Sequence, residues 1–238
     1  MERAGENLER NKKRWENWIS QHPDLFTSVQ RGQDWNQLEI GVNDVVEKLS
    51  LQKGETVLDA GCGSGIFLSE IIKKVQVFGK GVDSSTSHIR SAKESFPQIH
   101  FLIARVETLP FKSSSFDKIL SYSVLHYLND WKKALDEFLR ISKTRGKILI
   151  GDIPSTRHRH RMYWDSFIGL LSSIKNLKKL REKWSYIEEA IPWNWLDLDQ
   201  IKEYVEKKGF SCKILRQPKH RQFESITYHY RFDILIEK

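Results

Sequence analysis

The amino-acid sequence predicts an α/β protein built on a doubly wound, mostly parallel seven-stranded sheet that ends in an antiparallel C-terminal hairpin. Three observations predict it. Short apolar runs alternate with helical patterns from residue 56 to 153, a glycine-rich bend joins the first run to the first helix, and the last two apolar runs have no helix between them.

The elements follow in order. TVLDAG at 56–61 is a strand ending in glycine, and in the GIFLSEIIKKV that follows, Ile66, Phe67, Ile71 and Val75 fall at helical spacing. VFGKGVDSS at 77–85 is the second strand, and a helix over 87–96 stops at Pro97. HFLIARV at 100–106, FDKILSYSVL at 116–125 and GKILIGDI at 146–153 are the third to fifth strands, with a helix through WKKALDEFLRIS between the last two. Strands this continuously apolar, separated by helices, belong to a parallel sheet covered on both faces by right-handed crossovers. A further helix runs over about 197–208 and Gly209 ends it as a C′ residue. The runs at 210–216 and 226–237 then pair antiparallel around the Pro218 loop.

Two segments lie outside this alternation. Residues 1–50 are predicted to form an N-terminal helical cap, with apolar stripes from Trp15, Trp18 and Ile19 and then Leu38, Val42, Val45, Val46 and Leu49. Residues 51–238 form the main domain, with a helical insert at 154–194. There Trp164, Phe167, Ile168, Leu171, Ile174 and Leu177 recur every three or four residues while Lys175, Lys178, Lys179 and Glu182 face elsewhere. A lid over the sheet edge is the favoured reading of this amphipathic helix, and a surface-lying membrane helix the alternative.

With 238 residues, 39% hydrophobic and 29% charged, the chain suffices for one sizeable core. It has no uninterrupted apolar stretch of the roughly 18 residues that a membrane span needs, and MERAGENLERNKKRW has no apolar signal core. A soluble, cytoplasmic protein is expected. Cys62 and Cys212 have neither zinc nor disulfide spacing, so reduced thiols are expected. The net charge of +8 is uneven: residues 207–221 carry six Lys or Arg and no acid, and residues 154–194 carry eight basic against four acidic residues. Such patches attract phosphate-bearing small molecules, nucleic acid or anionic membranes alike, and a merely solvated basic surface is an equal alternative. His158 and His160 alternate with Arg157, Arg159 and Arg161 but have no Cys, Asp or Glu among them, so no metal is expected. The arginine forks suit a phosphate, and a solvated loop is the plain alternative.

The chemistry is concentrated in Asp59-Ala60-Gly61-Cys62-Gly63-Ser64-Gly65, where the first strand turns into the first helix. Helix N-termini present backbone amides, and open α/β sheets of the Rossmann-like kind bind nucleotides at such a turn. The dinucleotide fingerprint needs a further glycine where this chain has Ile66, which counts against that cofactor.

Four stretches, VLDAGCGSG, GVDSS, ETLPFKSSSFDKILSYSVLHYL and RGKILIGD, together cover about residues 55–152. In order and spacing they resemble the class I S-adenosylmethionine-dependent methyltransferases, particularly the small-molecule branch related to quinone biosynthesis. The resemblance implies an enzyme that uses S-adenosylmethionine and yields S-adenosylhomocysteine. It sets Gly61, Gly63 and Gly65, with Cys62 in the same bend, against the methionine portion, and Asp59 at its amino group. Glycine amides are expected to meet the ligand carboxylate. Asp83 matches the acid that grips the ribose hydroxyls, with Ser84 beside it; capping the next helix is the alternative role. Where the family has an aspartate for the adenine amino group, four residues before the Leu of Leu-Pro-Phe, this chain has Arg105, which cannot accept that bond. The Val106 backbone and Glu107 are the substitutes, and Arg105 is free to pair with an acid or reach a substrate phosphate.

Methyl transfer from a sulfonium needs alignment and water exclusion more than covalent chemistry, and an oxygen acceptor also needs a base. Ser121 is expected beside the cofactor. His126, Tyr122 and Asp152 are the catalytic candidates, with His126 the best placed chemically to take a proton and a packing role its alternative. The Trp and Tyr residues near the basic segments suit stacking or core packing equally. No nucleic-acid-binding signature accompanies them, which favours a small-molecule acceptor; a phosphate, nucleotide or sugar handle fits the charge. A nucleic-acid or protein methyltransferase and a non-catalytic nucleotide-binding module are the alternatives.

Overall fold

The computed structural model describes residues 35–158, 194–217 and 231–238. Five apolar runs form the predicted parallel strands: β1 (Thr56–Ala60), β2 (Phe78–Asp83), β3 (His100–Ile103), β4 (Phe116–Tyr122) and β5 (Ser142–Pro154). The last two runs give β6 (Ser211–Arg216) and β7 (Arg231–Glu237), and the spatial order is β3-β2-β1-β4-β5-β7-β6. β7 pairs antiparallel with both β5 and β6, as the missing helix between the final runs implies. The chain lays down β1, β2 and β3 in one direction and then crosses back to place β4 on the other side of β1. In sheets with such a reversal, ligands bind outside the carboxyl ends of the strands that flank it, here β1 and β4.

Strand residues alternate between two apolar layers, because successive side chains on a strand point to opposite faces. Val57, Leu120, Leu149 and Leu235 pack with Leu38, Val42, Val45 and Leu49 of helix α1 (Trp35–Leu49) and with Ile66 and Ile71 of α2 (Ile66–Val75). Helix α3 (Thr86–Ser95) sets Ile89 and Ala92 beside Leu68, Phe101 and Cys62. On the opposite face Leu58, Ile119, Ile148, Ile150, Ile234 and Ile236 meet Ala134, Leu135 and Phe138 of α4 (Trp131–Ile141) and Ile201 and Val205 of α5 (Leu198–Lys207). Each of these side chains is at most 7% exposed, and burying a Val, Leu, Ile or Phe among them stabilises the fold by about 1.5–3 kcal/mol.

Element ends follow local chemistry. Ser85 caps α3 by accepting from the His88 amide, Asp130 caps α4, and Asp197 caps α5. Gly209 takes φ +87° after α5 and donates its N–H to the Glu206 carbonyl, as a C′ residue does. Several strand boundaries differ from the sequence reading, and β4 for one ends at Tyr122 instead of 125, ahead of a 3-10 turn at Leu125–Tyr127. β3 ends at Ile103, because the chain turns at Arg105–Thr108, where Thr108 donates to the Arg105 carbonyl. β5 begins at Ser142 instead of 146, with Ser142 paired to Phe116 across an irregularity before the regular register resumes at Lys118 and Lys147. Of the predicted N-terminal cap, residues 1–34 lie outside the described residues, as do 159–193 of the insert and 218–230 of the final loop and strand. Among the described residues no helix is long and apolar enough to cross a membrane.

Candidate active site

The glycine bend sits where β1 ends beside β2. Gly61, Gly63 and Gly65 take φ of +93°, +53° and +78°, a region where a Cβ costs about 1–2 kcal/mol per residue. Two of them also admit side chains: a Cβ on Gly61 would overlap Val124, and one on Gly65 would overlap the Phe101 ring. Their amides are not left for a ligand, contrary to the sequence reading. Gly61 and Cys62 both donate to the Val82 carbonyl, at 2.7 and 3.0 Å, Gly65 donates to the Cys62 carbonyl, and Gly63 donates to Asp83 Oδ2 at 3.0 Å. The physical reason is accounting: this far inside the sheet edge, buried amides need partners, and β2 supplies them. The glycines therefore shape the bend and bring the main chain close. They do not act as a row of donors.

Two acids converge beneath this bend. Asp83 ends β2 with its side chain 15% exposed, and accepts from Gly63 and, at 2.8 Å, from the Ser85 amide; His88 Nδ1 stands 3.7 Å away. Burial alone would raise its carboxyl, but the His88 side chain and the Ser85 and Gly63 amides outweigh it and hold Asp83 below the usual carboxylate range. Asp59, in β1, is 3% exposed and receives no hydrogen bond from any described residue. Burial, and then repulsion from Asp83, push it up to about 7 from an ordinary 3.8. Cys62 is 5% exposed, packs against Phe101 and Ile89, and its thiol is driven upward by burial and by both acids. It is an apolar wall, not a thiolate.

The remaining cofactor-side residues are distributed around this centre. Ser84 is exposed and the helix cap falls to Ser85. Ser121, fully buried, donates to the Ala60 carbonyl at 2.9 Å and so ties β4 to the end of β1. Val106 is 5% exposed in the core, and Arg105 donates to Glu107 at 2.7 Å. Arg105 thus takes the acid-pairing role, and it engages the Glu107 carboxylate that stood in as an adenine partner. The turn they occupy is clamped from α4: Glu137 accepts from the Leu109 amide at 2.7 Å, and Arg140 donates to the carbonyls of Leu109 and Phe111.

The catalytic candidates fall into two separate groups. Tyr122 stacks on Phe67 and accepts from Gln217 at 2.8 Å. Asp152, 6% exposed, accepts from the Ser123 hydroxyl and from Arg231 Nη1 at 3.1 Å, and its own amide donates to Asp233 at 2.9 Å. Asp233 is fully buried and also receives Lys48 at 2.6 Å and Gln217 at 3.1 Å. Ser123 and Asp152 both hold left-handed backbone, φ +58° and +62°, and β5 carries a register shift against β7 between Ile150 and Ile153. Such bulges re-aim side chains, often beside active sites. His126 lies apart, in a single 3-10 turn (Leu125–Tyr127); it is 1% exposed, and its carbonyl accepts from the Asn194 amide at 2.7 Å.

Sequence reasoning missed Ser85, His88, Ser123, Arg231 and Asp233. Arg231 and Asp233 were visible as charges inside the apolar run RFDILIE, and a charge in a buried strand signals a partner elsewhere. Among the described residues no group of three or more His, Cys, Asp or Glu is arranged to hold a metal. A cationic nucleoside does fit: Asp59 is a buried carboxyl without a donor among the described residues, beside an ionised one, under a bend that admits close approach.

Comparison with known proteins agrees with this geometry. A family model described as a methyltransferase domain matches residues 51–209. A demethylmenaquinone methyltransferase of Renibacterium salmoninarum is 28% identical over 170 residues, covering 70% of this chain and 71% of that protein. A 2-phytyl-1,4-naphtoquinone methyltransferase of Nostoc punctiforme is 28% identical over 196 residues, covering 75% and 83%. Among solved structures, a plantazolicin methyltransferase superposes with a TM-score of 0.68 at 17% identity, covering 100% of this chain and 98% of that one. A SAM-dependent methyltransferase from Aquifex aeolicus gives 0.60 at 17% identity, covering 90% and 98%; both share the fold. From the sheet order, the acid pair under its glycine bend and the match over residues 51–209, the chain belongs to the methyltransferase-domain family and is an S-adenosylmethionine-dependent enzyme.

Proposed function

We propose that the protein methylates a small-molecule acceptor that enters beside the carboxyl ends of β4 and β5. The observation that carries the reading is the pairing of a buried Asp59, without a donor among the described residues, with an ionised Asp83 at the sheet's reversal point. When bound, S-adenosylmethionine supplies a methyl group already activated on a sulfonium sulfur. Asp59 opposes the ligand's ammonium, Asp83 accepts from the ribose hydroxyls with Ser84 at its rim, and Gly61, Cys62, Gly63 and Gly65 shape the wall. Ser121 holds β4 in place beside them, and the Val106 backbone with Glu107 borders the adenine.

On the acceptor side Tyr122 and Asp152 orient. Arg231 pairs with Asp152 at 3.1 Å and so fixes the direction in which that carboxylate can accept a hydrogen bond. His126 is left as the group for taking a proton from an oxygen acceptor. The small-molecule reading is supported by the two curated relatives, each named for methylating a quinone. An anionic handle on the acceptor is supported by the uneven charge of +8. On the same reading the enzyme works in the cytoplasm, with residues 1–50 and 154–194 capping the site of a domain that spans 51–238.

Calorimetry with S-adenosylhomocysteine tests the cofactor half. Asp83→Ala is expected to weaken binding at least tenfold with an unchanged melting temperature, and an unchanged affinity removes Asp83 from the site. Transfer of labelled methyl to naphthoquinols with and without a phosphate substituent tests the acceptor half. Transfer to RNA in place of either would overturn it.

A further inference from the structure

Asp59 and Asp83 share one face of the sheet, since Asp59 pairs in register with Gly81, two residues before Asp83 on β2. Their environments are opposite. Asp83 has two amides and an imidazole around it, whereas Asp59 is 3% exposed and no described group donates to it. An ionised carboxylate in such a place is costly, and two adjacent ones cost more, so one of the pair holds a proton while no cation is present. The donors around Asp83 decide which: Asp83 is the ionised member and Asp59 the protonated one.

We propose that Asp59 is a proton-linked specificity residue, whose bound proton is displaced to solvent when a ligand brings an ammonium group against it. The inference rests on the S-adenosylmethionine reading given above. In the step, the Asp59 O–H bond breaks, its electron pair stays on the carboxylate, and buffer takes the proton. A carboxylate–ammonium pair replaces a buried acid, with no change in the total charge of the site beyond that exchange. Nucleosides without an ammonium leave Asp59 protonated and forgo the pair, so the site discriminates by charge as well as by shape. The titratable groups facing Asp59 are Asp83 from β2, Cys62 from the bend and, behind Asp83, His88 from α3. The burial that lifts Asp59 to about 7 places the linkage within the physiological range.

The test is calorimetry of the whole protein at pH 6 in buffers of differing ionisation enthalpy, which counts protons. S-adenosylhomocysteine is expected to release close to one proton per ligand, and its affinity to rise about fivefold from pH 6 to 7. The thioether nucleoside 5′-methylthioadenosine, which lacks the amino acid portion, is expected to release none. Asp59→Asn is expected to bind S-adenosylhomocysteine without proton release, and His88→Gln to keep the release. Binding of S-adenosylhomocysteine without a released proton overturns the proposal and leaves the cofactor site standing. No binding at all overturns the cofactor site itself. Release on binding 5′-methylthioadenosine, or loss of release in His88→Gln, assigns the proton elsewhere and overturns the proposal; the ligand comparison needs no variant to fold.

Discussion

The carboxyl edge of the sheet holds buried acids in two neighbouring regions that handle charge in opposite ways. Around β5 and β7, Asp233 is fully buried and receives Lys48, Gln217 and the Asp152 amide, while Asp152 receives Ser123 and Arg231. Around β1 and β2, Asp59 is almost as buried and receives nothing from the described residues. Asp233, held by protein donors from three parts of the chain, belongs to the architecture; Asp59, with no donor among the described residues, keeps a place for a ligand.

The largest expected effect lies on the saturated side. Asp233→Ala leaves the buried Asp152 amide without its acceptor and takes one acceptor each from Gln217 and from Lys48, which keeps Asp44, and should cost about 3–4 kcal/mol in urea unfolding. A cost below about 1 kcal/mol would show that the network is slack and dissolve the contrast. Next comes Gly61→Ala, which combines left-handed backbone with overlap on Val124. It should cost about 2–3 kcal/mol and weaken S-adenosylhomocysteine binding as the Ser123–Val124 turn shifts.

Asp59→Asn should move stability the other way. The folded carboxyl sits at about 7, above its ordinary 3.8, so the native state holds the proton longer than the unfolded chain. Wild-type stability therefore falls as pH rises between those values, and the full penalty persists above 7. Asparagine removes it, raising the melting temperature on the order of 5 °C at pH 8 and leaving it unchanged near pH 4. A melting temperature lowered at pH 8 would mean that Asp59 is structural after all. The smallest effect belongs to Ser85→Ala, which loses the α3 cap for about 1 kcal/mol by thermal melting; a larger loss would show that α3 depends on Asp83 as well.

The parallel strands, both helical layers and the final hairpin were legible because strands covered on both faces must be continuously apolar, as in KILIGDI and RFDILIE; the strand order was not, since an apolar run does not record its neighbour. The glycines were legible because a strand-to-helix bend restricts the residues it tolerates, whereas Asp59 and Asp83 were legible through the resemblance to the methyltransferase family. What the bend's amides do was not, since their partner, the Val82 carbonyl, is a backbone atom that any residue would supply. The left-handed turns at Ser123 and Asp152 were equally silent, because no glycine announces them. Arg231 lies 79 residues from the Asp152 it serves, beyond the reach of any local pattern. Helix α1 was legible as a helix from Leu38, Val42, Val45 and Leu49, but its packing directly on the sheet with Val57 and Leu235 was not.

The bond from Lys48 in α1 to Asp233 in β7 spans 185 positions of sequence. On a ribosome, α1 emerges early, with Lys48 held only by Asp44 of the same helix, and must wait with a bare apolar stripe until β7 has been synthesised. Until β7 slots between β5 and β6, the nascent chain exposes two open strand edges to its neighbours. Folding to the active form is thus a late, long-range event, slow by the measure of contact separation, and a chain stalled before its final strand is a natural client for chaperones.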